Sequence, residues 1–195
     1  MTKNPVVIGL GLYGVTMLLF FGVYYFFAGP NYWDISMKIN AFGLTFLYGI
    51  AAFLSTYWLR KGTQITYPQA FKQSFLTLFV GGFLSMVTMF GFLNYVDKNA
   101  RDLLNYQYVQ TELTNLEEAY QKQKIDAANH KDANVVVELE KNYKEAKEAR
   151  EIALKEKRNY FSFEFLGKLF AGILLFYLLL SIIIAAFLKN KKRYE

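Results

Sequence analysis

Cysteine is absent from the 195 residues, which excludes disulfides, thiolate nucleophiles and thiolate metal sites and leaves the redox compartment open. Histidine occurs once, at His130, so no second imidazole can share a metal with it. Between Gly91 and Gly167 there is neither glycine nor proline, and nothing in that stretch obliges a helix to break. Charge is missing from residues 5–28, 39–59, 73–96 and 169–188, none of which contains Asp, Glu, Lys or Arg. An ionisable residue inside an apolar run is the usual pointer to a proton relay or ion path, and these runs supply none.

What remains is apolar and aromatic, at 54% and 18% of the residues, more than a soluble chain carries. As helices the four uncharged runs reach about 30–36 Å, enough to cross roughly 30 Å of hydrocarbon. They predict an all-α integral membrane protein with four transmembrane helices and the lipid bilayer as its first partner. The first run is longer than the apolar core of a secretory signal, and with only Lys3 ahead of it, it reads as an uncleaved anchor. Pro68 suits the first turn of a helix that begins before the third run. Aromatic residues gather where headgroups belong: Tyr24, Tyr25, Tyr32, Trp33, Tyr95, Tyr160 and Phe161 on one side, Tyr57, Trp58 and Tyr67 on the other.

Net charge is +6, yet the excess is not a nucleic-acid surface. Residues 97–168 hold 13 basic and 14 acidic side chains, which leaves the positive surplus in short segments beside the apolar runs. With four spans, Lys3, Arg60, Lys61, Lys72, Lys189, Lys191, Lys192 and Arg193 fall on one side, and the opposite short loop offers only Lys38 beside Asp34. By the positive-inside rule both termini are expected in the cytoplasm and the long charged segment outside it. The tail Lys189-Asn190-Lys191-Lys192-Arg193 reads as a stop-transfer signal with general attraction to anionic lipid.

The chain therefore divides into residues 1–96 with three spans, a charged insertion at 97–168, and the last span with its basic tail at 169–195. The insertion is rich in Glu, Lys, Ala, Leu and Gln and is predicted helical almost throughout. Tyr106, Val109, Leu113, Leu116 and Tyr120 recur at a spacing that makes one stripe. Val136, Leu139, Tyr143, Ala146 and then Ala149 or Ala153 answer them on the return. The turn-like cluster at 129–134 splits the insertion into arms at 97–128 and 135–168, an antiparallel helical, coiled-coil-like hairpin whose first arm continues from the third span. Glu140 with Lys144, Glu151 with Lys155 and Glu164 with Lys168 stand in the helix-favouring order. The seam is rich in Ala and Tyr where a self-sufficient coiled coil carries Leu and Ile. A protein partner or a second copy is therefore expected on Tyr106, Val109, Leu113, Leu116, Tyr120, Leu139 and Tyr143.

Gly9-Leu10-Gly11-Leu12-Tyr13-Gly14 matches the dinucleotide-binding pattern, but it lies inside an apolar run where that motif needs a strand and a water-facing helix start. Its glycines read as helix-packing positions, Gly11 and Gly14 in particular, and so do Gly81, Gly82 and Ser85 on the third span and Gly43 and Gly49 on the second. Thr16, Thr45, Ser55, Thr56, Ser74, Thr77, Ser85, Thr88, Asn94 and Ser181 are the polar residues within the runs, suited to bonding their own backbone or a neighbouring helix. His130, with Asp126 and Asp132 near it, reads as part of a solvated turn, and no catalytic, cofactor or metal residue is assigned.

Trp58-Leu59-Arg60-Lys61 followed by Ile65-Thr66-Tyr67-Pro68-Gln69-Ala70-Phe71-Lys72, set between the second and third runs, resembles a bacterial family of small four-span inner-membrane proteins classified only as a domain of unknown function. The resemblance covers nearly the whole chain and implies a bacterial inner membrane, with no catalytic residues to transfer. The function expected is a non-enzymatic accessory or scaffold subunit of an envelope complex, docking through the hairpin. A small transporter or lipid-handling protein, and a membrane partner of an envelope glycosyltransferase, are the alternatives.

Overall fold

The computed structural model describes residues 3–61, 63–130 and 133–190, with side chains at 127–135 left undescribed. Every regular element in these residues is helical. They are α1 (Pro5–Phe27), α2 (Tyr32–Lys38), a π-helical stretch Ile39–Leu44, α3 (Thr45–Arg60), α4 (Tyr67–Gly91), a second π-helical stretch Phe92–Val96, α5 (Lys98–His130), α6 (Ala133–Lys155) and α7 (Phe163–Leu188). Four helical runs are long and apolar enough to cross a membrane: Pro5–Phe27, Tyr32–Arg60, Tyr67–Val96 and Phe163–Leu188.

Three of the four begin earlier than the uncharged runs, because local chemistry extends the helix past the charges. Before residue 39, Asp34 and Lys38 form an i,i+4 ion pair at 2.7 Å inside α2. Before residue 169, Glu164 and Lys168 do the same at 2.6 Å, and Ser162 Oγ caps α7 by accepting from Phe165 N–H at 3.3 Å. Before residue 73, Gln69 Oε1 accepts from Thr66 N–H at 2.9 Å, the return arm of a capping box, and Pro68 occupies the first turn of α4.

The chain separates into two units, one of residues 1–96 with 162–195 and one of residues 97–161. In the first, α4 packs against α1, α3 and α7. Contacts set the helix directions. Gln73 Nε2 donates to Lys3 O at 2.9 Å and the Tyr13 and Thr88 hydroxyls meet at 3.1 Å, so α1 runs parallel to α4. The Ser55 and Thr77 hydroxyls meet at 2.7 Å, and Asn190 N–H donates to Ile65 O at 3.1 Å, so α3 and α7 run antiparallel to it. Leu12, Tyr48, Ala52, Leu78, Phe170, Tyr177, Ile184 and Leu188 form the core. Large apolar side chains also cover the outside, with Leu18, Phe26 and Phe187 at least 75% exposed. A helix apolar all round is at home in lipid.

Of the expected packing glycines, those on α4 lie at helix contacts. A Cβ on Gly81 would stand 2.8 Å from Leu12 Cδ2, and one on Gly82 would overlap the Tyr177 hydroxyl. The expectation is corrected for Gly11, Gly14 and Gly49, which have nothing within 4 Å, and for Gly43, which meets only Ile39 of its own helix. On α1 the close approach belongs to Gly9, where a Cβ would sit 2.8 Å from Val80 Cβ and 2.9 Å from Thr77 O. Helical phase explains the change. Gly9, Leu12, Thr16 and Val23 are on the buried stripe, whereas Gly11 is exposed.

Candidate functional site

Two clusters carry polar chemistry, one in the hairpin unit and one between the apolar helices. In the hairpin, α5 opens at Asp97, whose Oδ1 accepts from Asn99 N–H and Ala100 N–H at 3.0 Å each. The expected continuous helix from the third span is therefore interrupted there by a new N-cap. α6 stops at Lys155, not near residue 168. Lys157 takes a left-handed φ of 49°, Lys157 N–H reaches Leu154 O at 3.2 Å and Arg158 N–H reaches Ala153 O at 3.0 Å. This is a Schellman stop on a lysine, at a position that usually needs glycine. The predicted tip at 129–134, with His130 and Asp132, lies outside the residues whose side chains are described.

The arms α5 and α6 pack on each other. Val109 is buried, as are Leu104, Asn105 and Ala153, while Leu113, Leu116, Tyr120, Leu139 and Tyr143 are half-buried. Two expectations are corrected or resolved. Tyr106 is 55% exposed, and the buried place near it is taken by Asn105, whose Oδ1 accepts from Tyr160 N–H at 3.0 Å. Ala153, not the exposed Ala149, continues the returning stripe.

Polar contacts the apolar stripe did not reveal hold the register. Arg150 Nη2 meets Glu112 at 3.2 Å and Nη1 donates to Ala146 O at 3.0 Å. Tyr108 and Tyr160 pack edge to face at 4.7 Å, and burial, with Glu112 beside it, raises the Tyr108 pKa. Tyr120 stacks on Tyr143 at 4.2 Å, and the Tyr143 hydroxyl donates to Glu117. Glu112 and Arg150 stand at stripe spacing from Val109 and Tyr143, which was the available signal. Beside this stack the surface keeps a groove of about 320 Å³, lined by Leu113, Leu116, Tyr143, Thr114, Glu117, Glu118 and Lys147.

The Tyr143–Glu117 bond gives the hairpin an expected dependence on pH. The bond holds Glu117 below the usual carboxylate range and Tyr143 above the usual phenol range. A depressed carboxylate contributes stability above its unfolded pKa and loses it as pH falls through the folded one. A raised phenol contributes below its unfolded value and loses it as pH rises through the folded one. Amide-exchange protection at residues 110–125 and 139–150 of the full-length protein is therefore expected to be flat near neutrality and to fall in acid. Glu117→Gln should shrink the acid limb, leaving the part due to Glu140, whose carboxyl Lys144 also holds down. An unchanged acid limb in that variant contradicts the assignment.

Between the apolar helices, Thr16, Ser55, Thr56, Gln73, Ser74, Thr77, Ser85 and Ser181 are buried. Thr16, Thr56, Ser74, Thr77 and Ser85 each donate to the carbonyl four residues earlier. Gln73 Nε2 reaches Ser55 Oγ at 3.0 Å and Ser55 O at 3.4 Å, and the Thr16 and Tyr48 hydroxyls lie 3.3 Å apart. Apart from Ser181, whose hydroxyl has no partner among the described residues, these groups bond backbone or tie helices together. No three His, Asp or Glu side chains converge among the described residues.

An all-helical chain with four helices of membrane-spanning length and apolarity, interrupted by a polar hairpin, defines the class. Residues 8–190 match the family described as Protein of unknown function (DUF4199), and the chain belongs to it. No curated protein and no solved structure matches the chain.

Proposed function

We propose that this protein is a non-enzymatic accessory or scaffold subunit of a bacterial inner-membrane or envelope complex, anchored by four spans and docking its partner through the hairpin. The observation that carries the reading is the groove beside the Tyr120–Tyr143 stack. Its apolar side chains, Leu113, Leu116 and Tyr143, are only half covered by the opposite arm. Such a surface gains by further burial against a partner, at about 25 cal/mol per Å² of apolar area.

Orientation rests on the cations. Lys3, Arg60, Lys61, Lys72 and Lys189 share one end of the four-helix unit, by the helix directions above, and make no ion pair among the described residues. The chain leaves the unit at Val96 and returns at Ser162, at the other end. The termini are thus assigned to the cytoplasm and the hairpin to the outside. A transporter is favoured less, because the buried hydroxyls and the Gln73 amide are mostly spent on backbone and on each other.

The test is affinity purification from native membranes in mild detergent, using the intact chain, Leu113→Glu with Leu116→Glu, and a variant rejoined after removal of residues 103–154. One stoichiometric partner is expected with the intact chain and lost from both variants. A glycosyltransferase among the recovered proteins would specify the complex. Recovery of well-folded protein alone in every case overturns the docking reading.

A further inference from the structure

Charge in the four-helix unit is arranged unequally between its ends. At one end each described cation has a carboxylate: Lys38 lies 2.7 Å from Asp34 and Lys168 lies 2.6 Å from Glu164. At the other end Lys3, Arg60, Lys61, Lys72 and Lys189 are without any described carboxylate. Among the described residues this positive charge has no counter-ion, and such charge attracts an anion from outside.

An aromatic row begins at that same end. Tyr67, Phe71, Phe75, Phe79 and Phe83 follow one another at four-residue spacing on α4. From Phe71 to Phe83 the rings stack in succession, with centroids 5.9, 6.1 and 5.6 Å apart, and Phe170 of α7 packs against Phe79 and Phe83 at 6.3 and 5.9 Å. Phe71, Phe75 and Phe79 are half-buried and Phe83 is 40% exposed. The stack extends about 18 Å along the helix, close to the depth of one leaflet's hydrocarbon, about 15 Å.

The head of the row is built, not merely charged. Asn190 clips the end of α7 to the segment before α4: its N–H donates to Ile65 O and its Oδ1 accepts from Ile65 N–H, both at 3.1 Å. The neighbouring Lys189 stands beside this clip, its Nζ 5.7 Å from the Tyr67 ring centroid. Lys72 is exposed next to Phe71.

We infer that the α4–α7 edge binds one anionic phospholipid, its headgroup phosphate at Lys72 and Lys189 and an acyl chain along Phe71, Phe75, Phe79 and Phe83. Charge complementarity selects the occupant. A zwitterionic lipid fits the row equally well but brings its own ammonium to an end already crowded with cations. The inference is independent of the hairpin docking surface and rests only on the four helices lying in a bilayer.

The experiment is native mass spectrometry of the full-length protein in mild detergent supplemented with phosphatidylglycerol or phosphatidylcholine of identical chains. One phosphatidylglycerol should be retained per chain, at least tenfold in preference to phosphatidylcholine. Neutralising a basic residue near the headgroups should weaken retention about fivefold, so Lys72→Gln with Lys189→Gln should remove the preference. Lys38→Gln with Lys168→Gln, at the other end, should not. Phe75→Leu with Phe79→Leu should lower retention at unchanged charge, with thermal stability measured alongside to confirm folding. Equal retention of the two lipids, a Lys72/Lys189 variant that retains the lipid as the parent does, or a folded Phe75/Phe79 variant with undiminished retention each overturns the site.

Discussion

Gly9→Ala is expected to destabilise the four-helix unit by about 1–3 kcal/mol, the usual cost of overpacking, while Gly11→Ala and Gly14→Ala leave it unchanged or slightly more stable. All three substitutions gain the same helix propensity, up to about 1 kcal/mol. What separates them is space. The added methyl at Gly9 would lie 2.8 Å from Val80 Cβ and 2.9 Å from Thr77 O. Neither can retreat cheaply, since one is the first atom of a side chain and the other is backbone. Relief requires α1 to move off α4, which breaks the Thr77–Pro5 and Gln73–Lys3 contacts on the same seam. Gly81→Ala should cost less, because its two nearest neighbours, at 2.8 and 2.9 Å, belong to the Leu12 side chain and the backbone it meets, Gly9 O, is farther off at 3.2 Å. Thermal unfolding of the four variants in one mild detergent decides it. A Gly9→Ala protein as stable as Gly11→Ala would mean that α1 and α4 are not this close.

The spans were legible because lipid imposes a constraint every residue must meet: about 20 residues without charge. Their starts were less legible, since Asp34–Lys38 and Glu164–Lys168 look like boundaries in a hydropathy reading but are i,i+4 pairs inside helices. Which glycines pack was not legible either. Gly9, Gly11 and Gly14 share one run, and in a helix apolar on every side the pattern does not say which stripe faces α4. In the hairpin, period alone found Val109, Leu113, Leu116 and Tyr120. It placed Tyr106 on the seam because it ranked residues by apolarity, and so passed over Asn105, which holds the Tyr160 N–H, and the Glu112–Arg150 pair across the arms. The stop at Lys157 left no trace, because a left-handed turn without glycine has no compositional signature.

Gln73→Leu is the second large effect expected. Gln73 is buried on α4 one turn before Thr77, and its amide donates to Lys3 O and to Ser55, joining the segment just ahead of α1 to α4 and α3. Leucine keeps the approximate volume and suits lipid, so what is lost is hydrogen bonding. An interhelical hydrogen bond in a membrane is worth about 0.6 kcal/mol on average and up to about 1.7, and the variant loses one to Ser55 of α3 and another to the Lys3 carbonyl ahead of α1. A loss of about 1–2 kcal/mol is expected. Ser55→Ala removes one of the same bonds, so the double variant should fall short of the sum of the singles. Ser181 provides the opposite sign. Its hydroxyl is buried with no partner among the described residues, so Ser181→Ala removes a desolvated group and should be neutral or stabilising. Additive Gln73 and Ser55 effects would show that the amide does not bond the Ser55 hydroxyl. The same variants separate the functional readings: a docking subunit should retain its partner after Gln73→Leu as long as it stays folded, whereas a protein that moves a solute between its helices would lose function there first.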